Sequence, residues 1–109
     1  REATKRRSQS HKKRVASYAY TALTRGGTEN HLRAYLVTLD PETDHRGVEY
    51  HHEGEEFIYV LKGSVSIKVG ENVSRLDGGE SIHFNSSIHH ALSNPSSGRT
   101  ELLVVVYVP

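Results

Sequence analysis

Residues 50–85 read YHHEGEEFIYVLKGSVSIKVGENVSRLDGGESIHFN, and this stretch decides the fold. It holds four short runs, Glu55–Lys62, Ser64–Val69, Val73–Leu76 and Ser81–Phe84, rich in β-branched and aromatic residues. KG, GEN and DGGE part them, and glycine and asparagine at such points are turn chemistry. The same pattern extends outward. Val15–Thr24, Leu32–Leu39, Val48–His52, His90–Ser93 and Leu102–Val108 are further strand candidates, bounded by RGGTEN, DPETDHRG, NSS and NPSSG. No segment of this part carries a helical apolar period; only Glu2–Arg14 reads as a helix candidate. Short strands at this spacing predict an all-β, antiparallel sandwich or barrel, one domain in a chain of 109 residues.

Composition narrows the chemistry. There is no Cys, Met or Trp, which excludes disulfides and thiolate metal sites. No apolar run approaches the roughly 20 residues of a membrane-spanning helix, and no signal-peptide pattern opens the chain. The expectation is a cytoplasmic protein with no membrane partner. Residues 1–14 hold seven Lys and Arg against Glu2 alone, whereas the remainder is net acidic. Without interleaved aromatics this start reads as a poorly structured basic linker or arm ahead of a domain at 15–109. A first residue of Arg suggests a portion upstream.

Ligand chemistry gathers at the mouth of the Glu55–Lys62 strand. Alternate residues of a regular strand share a face, so Tyr50, His52, Gly54 and Glu56 would lie on one side and His51 on the other. One imidazole and one carboxylate make half of a facial metal site. A second imidazole must come from SIHFNSSIHHALSN, which offers His83, His89 and His90. His83 alternates with the apolar Ile82 and Phe84, so it reads as outward. Glu56 is the residue hardest to explain without a cation, because a buried, unpartnered carboxylate is costly. Tyr18 and Tyr20 share a face of the first long strand, as core aromatics or as pocket walls that contact a ligand. Of the strand cations Arg33, Lys62, Lys68 and Arg75, none reads as pointing inward with His52.

Two stretches resemble the cupin superfamily. His52, Glu56 and Gly63 keep the later spacing of its first motif, though Gly47 does not sit where that motif begins. Gly79, His90 and Asn94 fit the second motif, with Asn85 and Ser87 in place of its usual Pro and Gly. The resemblance implies a double-stranded β-helix, the jelly roll. It also implies a divalent metal ion (Fe(II), Zn, Ni or Mn) held by His52, Glu56 and His90. The family's fourth ligand position is Tyr50 here. A neutral phenol, with a pKa of about 10, is a poor ligand, so Tyr50 is expected to border an open coordination position and touch whatever binds there.

Within that superfamily, EEFIYVLKGSVSIKVG and SIHFNSSIHHALSN look like the C-terminal cupin of bacterial helix-turn-helix regulators. That implies a metal-binding sensor for a small-molecule effector, meeting DNA only through an upstream domain. YAYTALTR and the His52–Glu56–His90 pattern also resemble the hydroxypropylphosphonate epoxidases, implying instead a non-haem Fe(II) oxygenase and a small-molecule substrate. The C-terminal LLVVVYVP is apolar on both strand faces, which predicts a homodimer.

Overall fold

The computed structural model describes residues 5–8, 18–23, 31–44 and 53–109. These form ten strands: β1 (Lys5–Ser8), β2 (Tyr18–Ala22), β3 (Leu32–Leu39), β4 (Thr43–Asp44), β5 (Glu55–Lys62), β6 (Ser64–Val69), β7 (Asn72–Asp77), β8 (Ser81–Asn85), β9 (His90–Asn94) and β10 (Thr100–Tyr107). Every pairing is antiparallel. One sheet runs β1-β2-β3-β10-β5-β8 and the other β4-β9-β6-β7. The fold is the all-β, two-sheet jelly roll that the short alternating runs predict.

Period-two alternation fixes what each strand buries. Ile58 and Val60 of β5, Val65 and Ile67 of β6, and Leu102 and Val104 of β10 alternate with residues that reach solvent. Together with Val37, Leu39 and Phe84 they form one core cluster. Facing antiparallel sheets suit this sequence because each strand has one apolar side to hide.

Two departures from the sequence reading concern the flanks. Lys5–Ser8 pairs with β2 as an edge strand instead of extending as a helix. Thr43–Asp44, inside a stretch read as a turn, pairs with Ser93 and Asn94 of β9. The strand expected at Val48–His52 and the rest of the basic arm lie outside the described residues. Among the described residues, no helix is long and apolar enough to cross a membrane.

Candidate metal centre

Glu56 is the first inward residue of β5, in phase with Ile58 and Val60. His90 opens β9 in the opposite sheet, paired with Val69. The two buried side chains meet across the sandwich, His90 Nε2 lying 3.3 Å from Glu56 Oε1. Phe84, which pairs with Glu56 on β8, sets its ring edge-on to the imidazole with centroids 4.8 Å apart. An apolar neighbour of this kind keeps water away and strengthens whatever charge the site holds.

The β8–β9 turn aims the imidazole. Asn85 Oδ1 accepts hydrogen bonds from the backbone N–H and the hydroxyl of Ser87, at 2.9 and 2.7 Å. This asparagine turn does locally what the Pro and Gly of the usual motif would do. It presents the Ile88 carbonyl 2.8 Å from His90 Nδ1, so Nδ1–H donates there and Nε2 faces Glu56. Burial pulls the pKa of His90 down. The hydrogen bond to Glu56, the bond to Ile88 and the Glu56 charge outweigh burial and hold it above the ordinary 6.5.

Glu56 and His90 together stand at a spacing that two donors to one divalent ion would have. Two donors that each lie about 2.1 Å from one ion stand about 3.0–3.4 Å apart at octahedral or tetrahedral angles. The Glu56–His90 separation of 3.3 Å falls in that interval. A ligating imidazole with its other N–H fixed on a carbonyl is also the arrangement that metal sites favour. Among the described residues no cluster of three acidic or histidine side chains forms. His52, the third ligand expected, and Tyr50 both lie outside the described residues.

Gly54 sets where the strand of Glu56 begins. Its φ is +117°, and a Cβ there would run into the Tyr107 carbonyl. The chain therefore turns at Gly54, and β5 starts only at Glu55. Whether Tyr50 and His52 share a face with Glu56 lies outside the described residues.

Of the other histidines read from alternation, His83 and His89 lie on the outside, and His51 is outside the described residues. His83 is exposed and meets Glu55 at 2.9 Å on the outer surface, and His89 is exposed. Tyr20 packs edge-on against Tyr35, ring centroids 5.6 Å apart, beside the core. The register sets it opposite Val37, two inward positions along β3 from Arg33. Tyr18 pairs with Leu39, and its side chain lies outside the described residues.

Three features went unread in the sequence. Arg33 shares the strand phase of Tyr35, Val37 and Leu39, but its side chain is exposed beyond the core. That period was legible. The edge-on Phe84 and the fully buried hydroxyl of Ser86, which has no hydrogen-bond partner among the described residues, carried no comparable signal.

The cupin-domain profile matches residues 35–106. No curated protein matches the sequence. Among solved structures, the cupin domain of an XRE-family transcriptional regulator from Enterobacter cloacae superposes with a TM-score of 0.75 at 19% identity, covering 84% of this chain and 97% of that one. The Fe(II) form of HppE gives 0.80 at 21% identity, over 97% of this chain and 57% of that one. Hydroxypropylphosphonic acid epoxidase from S. wedmorenis gives 0.70 at 26% identity, over 83% of this chain and 50% of that one. The chain thus spans about half the length of the epoxidase and nearly all of the regulator's barrel.

Proposed function

Because this chain belongs to the cupin-domain family, we propose that it is a metal-binding barrel that senses a small molecule for a bacterial transcriptional regulator. The observation that carries the metal is the buried Glu56–His90 pair, set across the two sheets at the separation of donors sharing an ion. His52 supplies the third ligand and Tyr50 borders the open position. Zn, Ni, Mn or Fe(II) suits two imidazoles and a carboxylate. When bound, the metal supplies a Lewis-acidic point to which an oxygen donor of the effector attaches. Glu56 and His90 hold the ion, and Phe84 shields it from water.

The sensor reading draws on the likeness to the regulator's barrel and on the motif-two stretch SIHFNSSIHHALSN. In this reading DNA is met only by a domain upstream. The protein works in the cytoplasm as a homodimer joined through the outer face of β10. Leu103, Val105 and Tyr107 point outward there, beside Leu36 and Ala34 of β3 and Tyr59 and Phe57 of β5. A second reading, an Fe(II)-dependent oxygenase, is favoured by the 26% identity to the S. wedmorenis epoxidase.

Metal analysis of the purified chain and its variants tests the site. The wild type retains one equivalent of divalent metal, and His52→Ala, Glu56→Ala and His90→Ala lose most of it. His51→Ala keeps it, and Tyr50→Phe keeps it while changing ligand affinity. Metal-free wild type, or loss with His51→Ala but not His52→Ala, refutes the assignment. Oxygen uptake coupled to a substrate under added Fe(II) replaces the sensor with the oxygenase.

A further inference from the structure

The outer face of the larger sheet carries charge at both ends of its apolar middle. At the Glu56 end one cross-strand row reads Leu32 on β3, Tyr107 on β10 and Glu55 on β5. At the far end the row on the same three strands reads Thr38, Glu101 and Lys62. The half-buried rows of Leu103 and Val105 lie between them. His83 holds Glu55 in place, Nε2 lying 2.9 Å from Oε1, with both side chains exposed. Lys62 is exposed and, among the described residues, has no ion-pair partner, unlike Arg75 with Asp77 and Arg99 with Asp40.

Facing sheets keep their strands within about 30° of each other, so a two-fold axis between two copies runs either along the strands or across them. The two choices bring different residues together. An axis along β10 lays each row on its own counterpart. Glu101 then faces the partner's Glu101, and β3 lies over β5, so the Glu55 carboxylate lands on the exposed Leu32. An axis across the strands, between the Leu103 and Val105 rows, reverses the order of the rows and keeps β5 over β5. Lys62 then faces the partner's Glu55, Glu101 faces the partner's Tyr107 phenol, and Leu103 faces the partner's Val105. Like charges set against each other in an interface are unfavourable, and opposite charges fix its register. The twist between the sheets shifts facing residues by no more than a lysine stem spans.

We propose that the homodimer is built on the axis across the strands, with the Lys62–Glu55 ion pair made twice, once at each end of the interface. This rests on the dimer reading above and does not involve the metal. It also fixes how the two candidate sites are disposed. Reversing the rows puts the two Glu56–His90 pairs at opposite ends of the dimer, whereas an axis along the strands would set them side by side.

Sedimentation of the full chain over a concentration series gives the dimer dissociation constant for wild type and variants, and thermal melts confirm that each is folded. Lys62→Glu and Glu55→Lys should each raise that constant about tenfold at low salt, because each sets like charges together at both ends. The double variant Lys62→Glu/Glu55→Lys should return to within about threefold of wild type, as a coupled pair does. Glu101→Gln should not tighten the dimer. Single variants without effect, a double variant no better than the weaker single, or a Glu101→Gln dimer tightened by relief of a Glu101–Glu101 contact overturns the axis. If Leu103→Glu is nonetheless monomeric, the dimer reading stands and only the axis falls. A wild type that stays monomeric at every concentration overturns both.

Discussion

His90 and Glu56 come from different sheets, and their 3.3 Å approach is the one buried charged contact that ties the two layers at this end among the described residues. In the metal-free protein the pair favours imidazolium, and its pKa lies above the ordinary 6.5. The sign follows from linkage. A folded-state pKa above the unfolded one gives stability that is fully present below about 6.5 and is lost as pH rises through the folded value. The urea midpoint of metal-free protein should therefore fall as pH is raised from 6.5 through that value, and His90→Gln should flatten the fall. A midpoint that rises across this window contradicts the pairing.

Gly54 is held against the far end of the chain, its α-carbon facing the Tyr107 carbonyl at φ +117°. Gly54→Ala adds a methyl that has no room and forces a conformation costing about 1–3 kcal/mol before any clash is counted. We expect a loss of at least that size, together with loss of metal, since the turn sets the entry to Glu56. Gly98→Ala is the control. Nothing lies within 4 Å of a Cβ there, and its φ is outside the left-handed region, so stability should hold or rise by a few tenths of a kcal/mol. Parallel thermal melts that show the two variants alike would refute the contact.

Most of the barrel was legible because alternation and turn chemistry act locally. Leu32–Leu39, Glu55–Lys62 and Ser64–Val69 begin and end where glycine, proline or charge interrupts the pattern. β1 was not legible: KRRS has no apolar side, and only its pairing with β2 makes it a strand. At the site, the burial of Glu56 and His90 could be read from spacing. The turn at Gly54 could not, because it depends on the distant Tyr107 backbone. Arg33 keeps the phase of Val37 and Leu39 in the sequence, yet its side chain is exposed. A charged residue at the end of an apolar face reads as the strand's exit, and only the register shows that it shares a row with Glu56.

Asn94, the last residue of the second motif, is structural in this chain. It is fully buried, and its Nδ2 lies 3.2 Å from the Leu39 carbonyl, 3.0 Å from that of Asp40 and 2.9 Å from that of Gly98. Its Oδ1 accepts from the Ser96 N–H and hydroxyl at 3.0 and 2.6 Å. Asn94→Ala strands several buried groups at once, at about 1–3 kcal/mol each where water cannot replace the partner. A loss of about 3 kcal/mol in chemical denaturation is expected, with metal affinity little changed in the folded fraction. Asn94→Asp should be no better, because it turns a second oxygen toward three carbonyls. A loss below about 0.5 kcal/mol, the range of an ordinary surface substitution, counts against this role.

The outer face of the larger sheet sets the last expectation. Leu36, Leu103 and Tyr59 form one cross-strand row and Ala34, Val105 and Phe57 the next, all half-buried, with Leu32 and Tyr107 exposed beyond them. Such a face is self-complementary under a two-fold axis, which is how an isologous dimer forms. Light scattering at about 50 μM, far above the dissociation constant of a tight dimer, should give twice the chain mass of 12.2 kDa. Leu103→Glu places a carboxylate at the centre of the face and should yield a folded monomer, because residue 103 points away from the barrel core. Leu102→Glu, one residue earlier and inward, should unfold the chain instead. A monomeric wild type, or a Leu103→Glu variant that stays dimeric, would show that this face is not the interface.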